Sequence, residues 1–500
     1  MPHQIDPEFT ALPLREIADA ALERAQQLGV EHADVRIERI RTADLALHDA
    51  RLETSHDDDE RGVAVRVVHD GTWGFAGGLV VDPDAARGLV DRAIEVATVS
   101  KPVTGERIEM AAEPSHGDQS WVSSYDVDPF SVSESDRIAL LADWSSRLLG
   151  ADIVRHVDAH IKQVRETKFY ADLGGTTTTQ QRVRLQCQLT AVWVDDSGRF
   201  ETMRTIAPPV GRGWEYLTSG YDWDGQLAEL PEWLAEKAQA PSVEPGRYDL
   251  IVDPSNLWLT IHESIGHATE LDRALGYEAN YAGTSFATPD KLGSLRYGSD
   301  LMHIIGDRQI DNGLSTIGYD DEGVAAQTWD LVREGILVGY QLDRRTAALR
   351  GIERSNGCAF ADSPLHVPIQ RMANVSLQPV AGGPTTEALI AGVDDGLYVV
   401  GDKSWSIDMQ RYNFQFTGQR FYRIKNGQIA GQVRDAAYQA TTTDFWGSMS
   451  AVGGPETYVL GGAFNCGKGQ PGQVAAVSHG CPSALFNGVR ILNATQEAAK

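Results

Sequence analysis

The chain has 500 residues, 42% of them hydrophobic and 23% charged, and a formal net charge of −26. This composition describes a soluble globular protein of two domains, or three, and no run of about 18 apolar residues offers a membrane span. An excess of 70 acidic over 44 basic residues argues against nucleic acid as a partner, because the surface would on average repel a phosphate backbone.

The opening MPHQIDPEFTALPLRE lacks the apolar stretch of a signal peptide. The four cysteines, Cys187, Cys358, Cys466 and Cys481, are scattered and outline no disulfide framework. Both features fit a reducing cytoplasm. Residues 14–28 are predicted to form an amphipathic helix with Ile17, Ala21 and Ala25 on one face. Residues 32–45 and 62–68 alternate like strands, and His69-Asp70-Gly71 reads as a hairpin turn. Asp82-Pro83-Asp84 opens a second helix to about Val99. A similar cycle follows, with a helix over 133–149, strands over 152–171 and 182–194, and a helix over 223–240.

Ala240-Pro241-Ser242-Val243-Glu244-Pro245-Gly246 cannot continue either a helix or a strand and reads as a linker. The predicted class is therefore α+β. A mixed α/β domain over residues 1–242 precedes a mostly β domain over 243–500, which carries one conspicuous helix near its start. Residues 248–252 form a short apolar strand ahead of that helix. Asp253 can cap the helix and Pro254 suits its first position. Leu257, Ile261, Ile265, Ala268 and Leu271 then make an apolar stripe, with Gly276 as the stop.

His262-Glu263-Ser264-Ile265-Gly266-His267 lies mid-helix. Two imidazoles beside a carboxylate are the groups with which proteins hold zinc and activate water. In the common H-E-x-x-H arrangement the histidines are four apart; here they are five apart. On a regular helix that spacing turns the rings about 140° from each other and separates them by about 7.5 Å along the axis. Shared coordination therefore predicts a π-bulge or a kink, with Gly266 as the residue best able to tolerate it. A third ligand is needed. The candidates are Glu270, Cys466 in its glycine-rich segment with Lys468 favouring the thiolate, and, more weakly, the pair His479 and Cys481.

The HExxxH run with Glu270 resembles the TldD branch of the TldD/PmbA family of zinc-dependent peptidases. Four further segments resemble family landmarks and keep their order. They are Asp320-Asp321-Glu322-Gly323, LVREGILVGY over 331–340, PIQRMAN over 368–374, and Cys466-Gly467-Lys468 with Gln470. Residues 407–417 match the pattern poorly, and Ser478-His479-Gly480-Cys481 replaces a glycine-rich tail. The resemblance implies one zinc ion per chain held by His262, His267 and Cys466, with Glu263 as general base. Glu270 then orients an imidazole, and Tyr412, Arg371 and Lys468 are candidate donors to the substrate carbonyl oxygen.

The resemblance also implies cleavage of unfolded or short peptides, or processing of leader or modified peptides. The substrate would bind as an added β-strand in an enclosed chamber, with Gly453-Gly454 and Gly461-Gly462 letting its backbone approach. The expected assembly is a heterodimer with a TldE/PmbA-like subunit; the alternative is a homodimer. The rival functions are a zinc-dependent amidase acting on a peptide natural product and a non-catalytic regulatory subunit.

Overall fold

Strands of unusual length build the N-terminal half. The computed structural model describes residues 4–469 and 472–498, so Gln470 of the last landmark lies outside the described residues. The strands are β1 (His32–His48), β2 (Arg51–His69), β3 (Thr72–Gly78), β4 (Asp118–Val122), β5 (His156–Asp172), β6 (Thr177–Val194) and β7 (Phe200–Arg204). They form one sheet in the order β3-β2-β1-β5-β6-β4, with β7 also on β6.

Strand parity decides what this sheet packs against. Odd-numbered residues of β1 and β5 point to one face. Val35, Ile37, Phe169 and Ala171 meet the helices Leu14–Gln27 and Pro83–Ser100 at one end. Leu45, Leu47, Val157 and Ile161 meet Glu134–Leu149 and Trp223–Gln239 at the other. The even-numbered face is charged. Near the turn Asp320–Gly323, Arg66 bridges Asp34 and Glu322, and Lys168 pairs with Asp321 at 2.8 Å. Glu166 is clasped by Arg182 and Arg184. These ions are almost fully buried. They are tolerable there because each has an opposite charge in contact.

After Ala240 the chain enters a second sheet. Gly246–Val252 pairs in parallel with Asp395–Ile407 and antiparallel with Ala484–Asn493. Ala436–Thr441 continues from Ala484–Asn493 to Asn413–Lys425, which pairs back onto Asp395–Ile407. Those five strands thereby close a ring, which removes the open sheet edges. Beside it lie a four-stranded sheet and the hairpin Val459–Lys468/Gln473–Cys481. The strand–turn–strand reading of 331–340 is realised with Glu334 and Gly335 in left-handed conformations between Thr328–Arg333 and Ile336–Leu337.

Two element expectations need correction. β2 begins at Arg51, far earlier than residue 62. The helix after residue 253 is also interrupted. Pro254–Ile261 is α-helical and His262–Gly266 is a π turn, but Glu270 is extended, and Leu271–Ala274 is a separate short helix. No helix among the described residues is long and apolar enough to cross a membrane.

Candidate metal centre

The helix that carries the two histidines is fixed at both ends. The Asp253 carboxylate accepts from Ser255 N at 3.0 Å, and Pro254 occupies the first turn, where no N–H is missed. Leu257, Ile261 and Ile265 are fully buried in the main core. At the π turn His267 N donates to His262 O at 3.0 Å, five residues back. The extra residue compresses the angular gap between the imidazoles, and their ring centroids lie 4.6 Å apart. The backbone carbonyls that the widened turn leaves over have partners: Tyr297 Oη donates to Ser264 O, and Gln341 Nε2 to Gly266 O at 2.7 Å.

Gly266 serves this turn differently from the sequence expectation. It is not in the left-handed region; what it provides is space. A Cβ there would sit 2.5 Å from Met372 Sδ and 2.9 Å from Met372 Cε.

The thiol arrives from the hairpin. Strand alternation puts Phe464, Cys466 and Lys468 on its inward face, after a register shift between Ala463 and Cys466. Nitrogen atoms of His262 and His267 and Sγ of Cys466 all lie within 4.8 Å of one another. Cys466 Sγ is 3.6 Å from His267 Nε2. Tetrahedral zinc with ordinary Zn–S and Zn–N bonds separates such a pair by about 3.6 Å. An N, N, S donor set at this spacing fits zinc, and His262, His267 and Cys466 are the residues that could hold it.

The groups behind the donors set their protonation. Burial works to lower both imidazoles, which favours the neutral form that has a lone pair to give. Burial works to raise the Cys466 thiol, but His267 beside it, with Arg371 further off, brings it below the usual thiol value. His267 Nδ1 is 2.8 Å from Glu270 Oε2, which leaves Nε2 facing Cys466. Glu270, pushed up by burial, is held well below the carboxylate range by Lys468 and Arg273. Its break from helical geometry did not remove it from the site. His262 Nδ1 meets His479 Nε2 at 2.7 Å, and His479 Nδ1 meets Val375 O at 2.8 Å.

Other expectations change. Lys468 is fully buried on Glu270, Asp272 and the Gln370 carbonyl. Arg371 donates to the carbonyls of Cys466 and Gln473 and so braces the hairpin. The ammonium is committed inside the protein, and both terminal nitrogens of the guanidinium are spent on the hairpin. Tyr412 Oη lies 3.2 Å from Thr443 Oγ1. The neighbouring Arg411, which sequence reasoning passed over, reaches Glu263 Oε2 at 2.6 Å. Cys481 is no ligand candidate, since its thiol contacts the Pro254 carbonyl. Gly461 packs on Trp258 and Gly462 on the Val477 carbonyl. Their closeness therefore serves the chain's own packing.

Two family models match this sequence. Residues 245–493 match the PmbA/TldA metallopeptidase C-terminal domain, and residues 33–97 match PmbA/TldA metallopeptidase domain 1. The chain belongs to the TldD/PmbA family. Among TldD/PmbA relatives, a metalloprotease from Methanothermobacter thermautotrophicus is 28% identical over 98% of this chain and 99% of its own length. A zinc metalloprotease TldD homologue from Saccharolobus solfataricus is 24% identical over 92% of this chain and 96% of its own. The crystal structure of TldE from Thermococcus kodakarensis shares the fold, with a TM-score of 0.69 at 15% identity over 94% of this chain and 99% of its own. The family and its named relatives make this chain a member of a metallopeptidase lineage, and the name of the Saccharolobus solfataricus relative points to zinc.

Proposed function

We propose that the chain is a zinc-dependent peptidase that hydrolyses peptide bonds in short or unfolded segments. The observation that carries this reading is the meeting of His262, His267 and Cys466 within 4.8 Å, with Glu263 on the same π turn. Zinc held there supplies a Lewis acid and lowers the pKa of water towards about 7. Glu263 takes the proton from the attacking water and returns it to the nitrogen of the departing amine. Glu270 and His479 keep the two imidazoles in orientation. His262, Glu263 and His267 are each 5% exposed and Cys466 is 4% exposed, which supports substrates thin enough to enter an enclosed site.

The TldE likeness supports a two-subunit assembly with a TldE-type partner. The test is Glu263→Ala, purified with that partner and offered a panel of unstructured peptides. Zinc should stay near one equivalent per chain while cleavage falls by about 10²-fold or more. Undiminished cleavage would remove Glu263 from the mechanism. A wild-type protein without zinc would favour a scaffolding role.

A further inference from the structure

The loop between Asp395–Ile407 and Asn413–Lys425 brings another charged group over the donors. Arg411 Nη1 donates to Glu263 Oε2 at 2.6 Å, and Nη2 to the carbonyl of Ala282 at 3.1 Å. Its Nε is buried and has no partner among the described residues. Its grip on Glu263 sets the guanidinium beside the π turn that carries His262. A purely structural buried ion pair tends to satisfy every donor, and a guanidinium fork usually grips a carboxylate through two N–H groups. This one grips through one and gives a second to the Ala282 carbonyl; its unpartnered Nε is shared with Arg184 and Arg371, so what sets it apart is its hold on Glu263.

The backbone is committed to that placement. Arg411 has φ of 63°, a conformation that is strained for a residue with a Cβ and persists where surroundings over-determine it. They do so here. Arg411 N donates to Asp408 O at 3.0 Å, and Thr442 Oγ1 donates to Arg411 O at 2.7 Å. Thr284 N and Phe286 N donate to the carbonyls of Met409 and Gln410 at 2.7 and 2.9 Å. Gly283, with φ of 89°, allows this contact, since a Cβ there would lie 2.2 Å from Met409 O.

Resting on the peptidase reading above, we propose that Arg411 is a catalytic residue whose guanidinium holds the carbonyl oxygen of the scissile bond. In the free protein its charge rests on Glu263. When the water oxygen bonds to the carbonyl carbon, the C=O π pair moves to oxygen and Glu263 takes the proton. The Arg411 N–H groups then donate to that oxyanion. As C=O re-forms, the C–N bond breaks, and its electron pair leaves with the nitrogen, which takes the proton from Glu263. Arg411 neither gains nor loses a proton. Tyr412, Arg371 and Lys468 are thereby relieved of the role, which a neighbouring loop residue fills.

The test uses full-length, zinc-loaded Arg411→Gln and Arg411→Lys, with zinc content and thermal stability measured for each. A phosphinic peptide, which carries a tetrahedral oxyanion in place of the scissile carbonyl, is titrated calorimetrically against its parent peptide. In Arg411→Gln, zinc should remain near one equivalent. kcat should fall by about 10²-fold with KM within a few-fold, and phosphinate affinity should fall in step while parent-peptide affinity holds. Arg411→Lys should lie between. Equal weakening of phosphinate and parent, a change in KM alone, or no change in either variant would overturn the proposal. If the wild type binds zinc yet cleaves nothing, the peptidase reading fails by itself. The phosphinate-to-parent ratio still decides on Arg411, and absence of phosphinate binding removes both.

Discussion

His262 Nδ1 and His479 Nε2 are 2.7 Å apart, and the neighbours of His479 dictate which one donates. The other ring nitrogen of His479 faces the Val375 carbonyl, which can only accept, so its proton is on Nδ1. Burial keeps His479 well below the usual imidazole range and therefore neutral. Its Nε2 can then only accept, so His262 carries its proton on Nδ1 and offers a lone pair at Nε2. A backbone carbonyl on Asn374–Leu377 thus selects the tautomer of a candidate ligand two hydrogen bonds away.

This relay makes His479→Leu informative. The substitution removes the acceptor without removing a donor to the ion. Zinc affinity should drop about 10–100-fold, the usual cost of losing an outer partner of a ligating imidazole. Competition with a chromophoric chelator measures it, and an unaltered affinity would mean that His262 orients without help.

Gly266→Ala tests the space under the π turn. The added methyl must displace Met372, and overpacking of this kind costs about 1–3 kcal/mol. A lowered melting temperature is expected, and the loss should shrink when Gly266→Ala is made in a Met372→Ala background and compared with Met372→Ala alone. An equal loss in both backgrounds would point back to a conformational need for glycine.

Acid should loosen the even-numbered face of the N-terminal sheet. Burial works to raise Asp34, but Arg66 and then His32 bring it down to about 2. Its folded pKa is thus below its unfolded value of 3.8, so its contribution is complete above about pH 4 and is lost as pH falls through about 2. That contribution is about 2–3 kcal/mol. Urea unfolding between pH 5 and 2 should show a falling stability whose slope is shallower in Asp34→Asn. Parallel slopes in the two proteins would exclude Asp34 as a source.

Where local chemistry is self-sufficient, the elements could be read from sequence. Ile17, Ala21 and Ala25 announce their helix by spacing, and Asp253-Pro254 announces the next. The five-residue interval between His262 and His267 required a distorted turn, and a π turn is what forms. Residues 51–61, RLETSHDDDER, escaped notice because they carry no apolar alternation; pairing with β1 alone makes them a strand. Glu270 breaks the helix through a bridge to Gln341, a residue 71 positions on, which no periodicity reveals. Gly266 was chosen for the right turn and the wrong reason, since Met372 is invisible until the chain is folded. Arg411 has no sequence signal of its own, and His479, a weak ligand candidate by sequence, stands instead behind His262. Each owes its place to loops and strands that meet only in three dimensions.

The separation of His267 from Cys466 by 199 residues has a consequence for biosynthesis. A nascent chain displays both imidazoles long before Val459–Lys468 is made, and an ion caught then has no thiolate to close on. The hairpin must first pair with Gln473–Cys481, whose far end also delivers His479. Assembly of the centre is therefore timed by translation. A growing or truncated chain carries the recognisable motif without the third donor of the centre.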